Sequence, residues 1–64
     1  MTKSPLILLI DDDEVDRKMV VRAFRDYDPN IEIVQANDGQ TGINLIGERE
    51  FDCVLLDYHL PDLD

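Results

Sequence analysis

Leu6-Ile7-Leu8-Leu9-Ile10 runs straight into Asp11-Asp12-Asp13, and Cys53-Val54-Leu55-Leu56 runs into Asp57. These two short apolar runs, each closed by acid, decide the fold class. Runs of leucine and β-branched residues without polar alternation suit strands covered on both faces, as in a parallel sheet. Such sheets bind ligands beyond the carboxyl ends of their strands. The acids therefore stand where chemistry is expected.

Working outward, three strand candidates alternate with two helix candidates in the order β, α, β, α, β, which is the pattern of successive parallel βαβ units. Asp13, Glu14 and Asp16 place negative charge at the start of the first helix, where it complements the macrodipole. Val15, Met19, Val20, Ala23, Phe24 and Tyr27 recur at spacings of three and four and predict one inward stripe. The helix is expected to end at Tyr27-Asp28, because the residue before Pro29 is biased away from helical geometry and Asp28-Pro29-Asn30 is turn chemistry. The second strand is expected over Ile31–Ala36, and Asn37 or Asp38 is expected to cap the second helix. Its inward face is read as Gly39, Gly42, Ile43 and Ile46, with Leu45 off that face and Gly47 as a stop signal. Glycines at 39 and 42 cost the helix roughly 1 kcal/mol each relative to alanine, which points to a close approach to the sheet.

Fifteen acids against six bases give the 64 residues a net charge of -9. That balance argues against nucleic-acid binding, which needs a basic face, and points to cations and basic partners. Much of the charge reads as solvated surface, including Asp26, Asp28, Glu48 and Glu50. A chain this short buries only roughly 60% of its unfolded surface, so metal or self-association is expected to help it. Cys53 is the single cysteine, which excludes an internal disulfide and reads as a small core residue. Without a secretory leader pattern or an apolar stretch near the ~20 residues of a membrane span, a cytoplasmic protein is the expectation.

Carboxylates crowded at one site repel unless a cation intervenes. Magnesium suits such a site, since it is bound by one or two carboxylates together with waters and phosphate oxygens. A further carboxylate held in line could then attack phosphorus and become an acyl phosphate.

Leu8-Leu9-Ile10-Asp11-Asp12-Asp13-Glu14, then Asn37-Asp38-Gly39, then Phe51-Asp52-Cys53-Val54-Leu55-Leu56-Asp57-Tyr58-His59-Leu60-Pro61-Asp62-Leu63-Asp64, strongly resemble response-regulator receiver domains of two-component phosphorelays. The resemblance covers essentially the whole chain. It implies a flavodoxin-like, doubly wound α/β fold with strand order 2-1-3-4-5, here reduced to β-α-β-α-β in the order 2-1-3. It also implies that Asp57 is the phosphoacceptor, Asp12 a direct Mg2+ ligand, and Asp11 an acid acting on the metal mainly through water. The main-chain carbonyl of His59 would be a further ligand, with Asp57 completing the metal set. The implied partner is a histidine kinase or histidine phosphotransfer protein, and the implied role is signalling rather than enzymatic.

A complete receiver continues through a glycine into a third helix, a fourth strand ending in serine or threonine, and a fifth carrying a lysine. Residues 1–64 hold none of these, so a partial receiver domain is expected, with metal binding retained and phosphorylation impaired. Strand three would then be an open apolar edge, a template for a second chain and hence for a homo-oligomer. One alternative is an inert receiver-derived fragment that self-associates there. A remoter one reads Ile10-Asp11-Asp12-Asp13-Glu14-Val15 as a haloacid-dehalogenase-type phosphatase motif, with Asp11 as nucleophile and Asp13 as general acid. Lys18, Arg22 and Arg25 read as the wet face of the first helix, and His59 as a loop side chain or a group tuning access to Asp57.

Overall fold

Five consecutive apolar side chains are all buried only in a strand covered on both faces, and Leu6 to Ile10 are each no more than 7% exposed. The computed structural model describes residues 4–56, which run β1 (Leu6–Ile10), α1 (Glu14–Tyr27), β2 (Glu32–Ala36), α2 (Gly39–Glu48) and β3 (Cys53–Leu56). The strands form one sheet in the order β2-β1-β3, with both pairings parallel. This is the expected βαβαβ arrangement of the flavodoxin-like α/β class. The central place of β1 explains its complete burial.

The register sets Leu8 beside Val34 and Val54, and Ile10 beside Ala36 and Leu56. Because side chains alternate across a strand, these residues share one face and Leu9, Gln35 and Leu55 share the other. The two crossovers run in opposite directions from β1 to β2 and from β2 to β3. Right-handed connections therefore place α1 and α2 on opposite faces. Leu8, Ile10 and Ala36 form the core beneath α2, with Val34, Leu45 and Phe51 packed around them.

Both helices begin where the sequence indicates, but each is rotated from its predicted face. On α1, Val21 is the buried residue and Val20 and Phe24 are half-buried, whereas Val15, Met19, Ala23 and Tyr27 are exposed, Met19 by 64%. A three-stranded sheet is narrow, so it covers one row of the helix and leaves the row at 15, 19, 23 and 27 outside. On α2, Gly39 and Gly42 are buried as expected, but Ile43 is 57% exposed, Ile46 is exposed, and Leu45 joins the core instead. Gly42 sits directly on Ile10, so the contact line continues three residues later through Leu45.

Smaller differences have equally local causes. Ile31 belongs to the turn rather than to β2, because its amide donates to the Asp28 carbonyl at 3.2 Å. Gly47 does not stop α2, which runs on to Glu48, and among the described residues no glycine has positive φ. The helix ends at Arg49, whose backbone is extended and whose side chain meets Glu32 at 3.3 Å and lies over the Phe51 ring. Cys53 is exposed rather than buried, since among the described strands β3 pairs with β1 alone.

Candidate functional site

At the carboxyl end of β1 the chain leaves the sheet without losing its bonds. The Asp11 amide donates to the Ala36 carbonyl at 3.0 Å, so Asp11 prolongs the ladder by one residue. Asp11 is 3% exposed, and its Oδ1 accepts the Asp13 amide at 2.9 Å. Its carbonyl accepts Nη1 of Arg17 at 2.6 Å. Burying a carboxyl group is costly unless polar partners surround it, and the turn supplies them from its own backbone.

Asp12 follows at the exposed apex of the turn. Asp13 then caps α1: its Oδ1 accepts the amides of Val15 at 2.8 Å and Asp16 at 3.3 Å. Glu14 and Asp16 occupy the first turn, near the positive end of the helix dipole. The carboxylate that a phosphatase reading would use as its general acid is thus the helix cap.

A second cap stands at the same end of the sheet. Asp38 follows β2 and accepts the Thr41 amide at 2.7 Å, which opens α2 as the sequence indicates. That hydrogen bond, with a further one from the Thr41 side chain, holds the Asp38 carboxyl below its ordinary value. Asp11 and Asp38 therefore share the carboxyl edge of neighbouring strands, one at the turn into each helix.

Between α1 and the opposite flank of β1, a shallow cleft is lined by Leu9, Asp11, Val20, Leu55 and Leu56. Asp11 is its single polar lining residue. The ladder pairs Ile10 with Leu56, the residues immediately preceding Asp11 and Asp57 in the two strands. Asp57 and His59 themselves lie outside the described residues, as does the Leu60-Pro61 motif. Among the described residues no three acids, histidines or cysteines gather closely enough to hold a metal ion.

Two residues of structural consequence escaped the sequence reading. Arg17 is one, its signal being the first cation after the acidic stretch, six positions past Asp11. Asp52 is the other: its carboxylate accepts the Leu6 amide at 2.7 Å while its own amide donates to the Leu6 carbonyl at 2.8 Å. The start of β1 is thereby tied to the start of β3. No pattern of hydrophobicity marks such a bond.

Comparison with known proteins covers nearly the same span. Transcription factor prr1 of Schizosaccharomyces pombe is 36% identical over 62 residues, which is 97% of this chain and 11% of that protein. Transcriptional regulatory protein LiaR of Bacillus subtilis is 39% identical over 59 residues, 91% of this chain and 28% of that protein. Probable histidine kinase 1 of Oryza sativa subsp. indica is 33% identical over 58 residues, 91% of this chain and 6% of that protein. The chain thus spans less than a third of the length of each. No solved structure matches it. The response regulator receiver domain matches residues 7–64, a span that takes in both helices and all but the first residue of the sheet, and the chain belongs to that family.

Proposed function

We propose that the chain receives a phosphoryl group on Asp57 from a histidine kinase or histidine phosphotransfer protein, with Mg2+ held by Asp11, Asp12, Asp57 and the main-chain carbonyl of His59. The observation that carries this reading is the parallel register of Ile10 with Leu56, which ends the two acid-bearing strands side by side. The donor set consists of oxygen atoms only and combines a buried with an exposed carboxyl group, which suits a hard cation that keeps part of its water. When bound, the cation neutralises charge on the donor's phosphoryl oxygens and on the acids around it. A carboxylate oxygen of Asp57 forms the new bond to phosphorus as the bond from phosphorus to the donor's imidazole nitrogen breaks, and the electron pair leaves with that nitrogen. Recurrence of this segment in proteins named for transcription and for a histidine kinase supports a receiving rather than an output role. The free thiol of Cys53 suits a cytoplasmic setting.

Intact-protein mass spectrometry after exposure to acetyl phosphate tests the reading. A single phosphoryl adduct that needs magnesium and is absent from Asp57→Asn is the expected result. A chain left unmodified where a longer receiver is modified would refute it.

A second reading concerns assembly, and the one-sided pairing of β3 supports it. Val54 and Leu56 share the α2 side of the sheet with Leu8 and Ile10 yet are exposed, and the outer edge of β3 has no neighbour among the described strands. Two chains joined antiparallel at this edge about a two-fold axis would make a six-stranded sheet. Light scattering after size exclusion decides: a folded monomer at micromolar concentration rejects the pairing.

A further inference from the structure

Lys18 pairs with Glu14 at 3.4 Å on the surface of α1, whereas Arg17 reaches back to the main chain of the acidic turn itself. Arg17 is half-buried in α1, its Nη1 donating to the Asp11 carbonyl at 2.6 Å while its own amide donates to the Asp13 carbonyl at 3.0 Å. The amide bond is the first hydrogen bond of α1 and any residue at 17 would make it; the guanidinium bond to Asp11 is what this side chain adds. The Asp11 carbonyl belongs to the planar peptide unit that joins Asp11 to Asp12. Fixing that oxygen fixes the plane, and the plane sets the direction in which the Asp12 side chain leaves the backbone. With the Asp11 amide on Ala36 and the Asp11 carboxylate on the Asp13 amide, the turn is tied on either side of its exposed apex.

We infer that Arg17 is the positioning residue of the acidic site: its guanidinium locks the Asp11–Asp12 peptide so that Asp12 is presented to a divalent cation beside Asp11. This rests on the magnesium reading above. Charge and geometry make opposite demands on the residue, which renders the inference testable by sign. As a positive charge, Arg17 opposes cation binding, and removing it should tighten binding by about two- to fivefold, the range of partly exposed charge pairs. As a positioning group it favours binding, and losing an outer partner of a metal ligand weakens affinity by about 10–100-fold. Geometry is the larger effect.

The experiment titrates the isotope-labelled chain with magnesium chloride, following the Asp12 and Asp13 amides by NMR, in the parent and in three variants. Arg17→Met keeps the apolar stem and loses both donor and charge; it should bind about tenfold more weakly. Arg17→Gln keeps a donor and loses the charge, and should bind as the parent does or more tightly. Arg17→Lys keeps both a donor and the charge and should bind as the parent does; binding as weak as that of Arg17→Met would show that a donor to the Asp11 carbonyl does not position the turn. Equal or tighter binding by Arg17→Met, or identical behaviour of Met and Gln, overturns the inference. If Arg17→Met loses its dispersed spectrum, the Gln and Lys variants carry the test.

A parent chain with no saturable shift refutes the magnesium pocket itself. Amide exchange in the metal-free protein reads the grip independently. The Asp13 amide should exchange faster in Arg17→Met but not in Arg17→Gln, and equal rates would show that Arg17 does not order the turn.

Discussion

Replacing Gly42 with alanine sets two well-defined effects against each other. Alanine in place of a helical glycine contributes about 1 kcal/mol of helix propensity. At this position, however, the new Cβ would overlap the Ile10 Cδ1 methyl and stand 2.8 Å from Cγ1, closer than carbon atoms approach. Cγ1 is not the free end of a flexible chain; it branches from a β-carbon whose rotation is restricted. Ile10 is also buried in the core, so it has nowhere to move. Overpacking of this kind costs roughly 1–3 kcal/mol, so the net change should be a loss of up to about 2 kcal/mol. In a domain of this size each ~1 kcal/mol lowers Tm by about 4–8 °C. Gly47 is the internal control, since nothing lies within 4 Å of a Cβ placed there. Gly47→Ala should stabilise by about 1 kcal/mol. Urea unfolding followed by circular dichroism reads both, and a third variant tests the cause. Ile10→Val removes the overlapping methyl and costs roughly 0.5–1.5 kcal/mol alone, yet combined with Gly42→Ala it should cost less than the sum. If the two glycine variants shift in the same direction, or if the double variant is additive, the close approach of α2 to β1 is not what selects Gly42.

Other consequences follow from single side chains. Asp38 has its carboxyl lowered by the Thr41 amide, so its folded value lies below its unfolded one. The resulting stabilisation is present above the ordinary carboxylate range and disappears as pH falls through the lowered folded value. Urea midpoints of parent and Asp38→Asn, compared across acid pH, should therefore converge on acidification; a constant gap refutes the assignment. Asp52→Ala removes the acceptor of the Leu6 amide and should destabilise by about 1–2 kcal/mol, with Asp52→Asn milder because it keeps an oxygen. Faster exchange of the Leu6 amide in the alanine variant checks that the loss is local.

What was legible in the sequence is what depends on chain order. Apolar runs stopping at acid located β1 and β3; the charge of Asp13, Glu14 and Asp16 marked the start of α1 without singling out Asp13 as its cap, and of the two cap candidates for α2, Asn37 and Asp38, it is Asp38 that caps. Strand order followed from family resemblance and is observed. Helix rotation was not legible, because periodicity gives the width of an apolar arc but not which edge of it meets the sheet. On α1 the arc is wider than a three-stranded sheet can cover, so Met19 and Tyr27 lie outside. On α2 the deciding contact is the absence of a side chain at Gly42, which turns Leu45 inward and Ile43 outward. Arg17 and Asp52 act through main-chain partners, Asp11 and Leu6, which no side-chain pattern encodes.

The acidic turn also sets a conflict between folding and function. Five of the six residues from 11 to 16 are acids, and the carboxyl group of Asp11 is buried among them. Like charges so close repel, and burial magnifies the cost. Backbone amides, the dipole of α1 and Arg17 offset part of it, but each of these partners also holds the carboxylates in one arrangement. A turn stabilised without a cation would have to disperse its charge, and dispersed carboxylates would not converge on one ion. On the magnesium reading the cation supplies the missing offset. At one hundred times its dissociation constant it would add about 2.7 kcal/mol of stability. Domains are held by only about 5–15 kcal/mol, and small ones stand near the lower limit. On that reading occupancy of the site and persistence of the fold would be a single linked equilibrium, and Arg17, bonded to the Asp11 carbonyl, would be the residue through which a change in one is felt by the other.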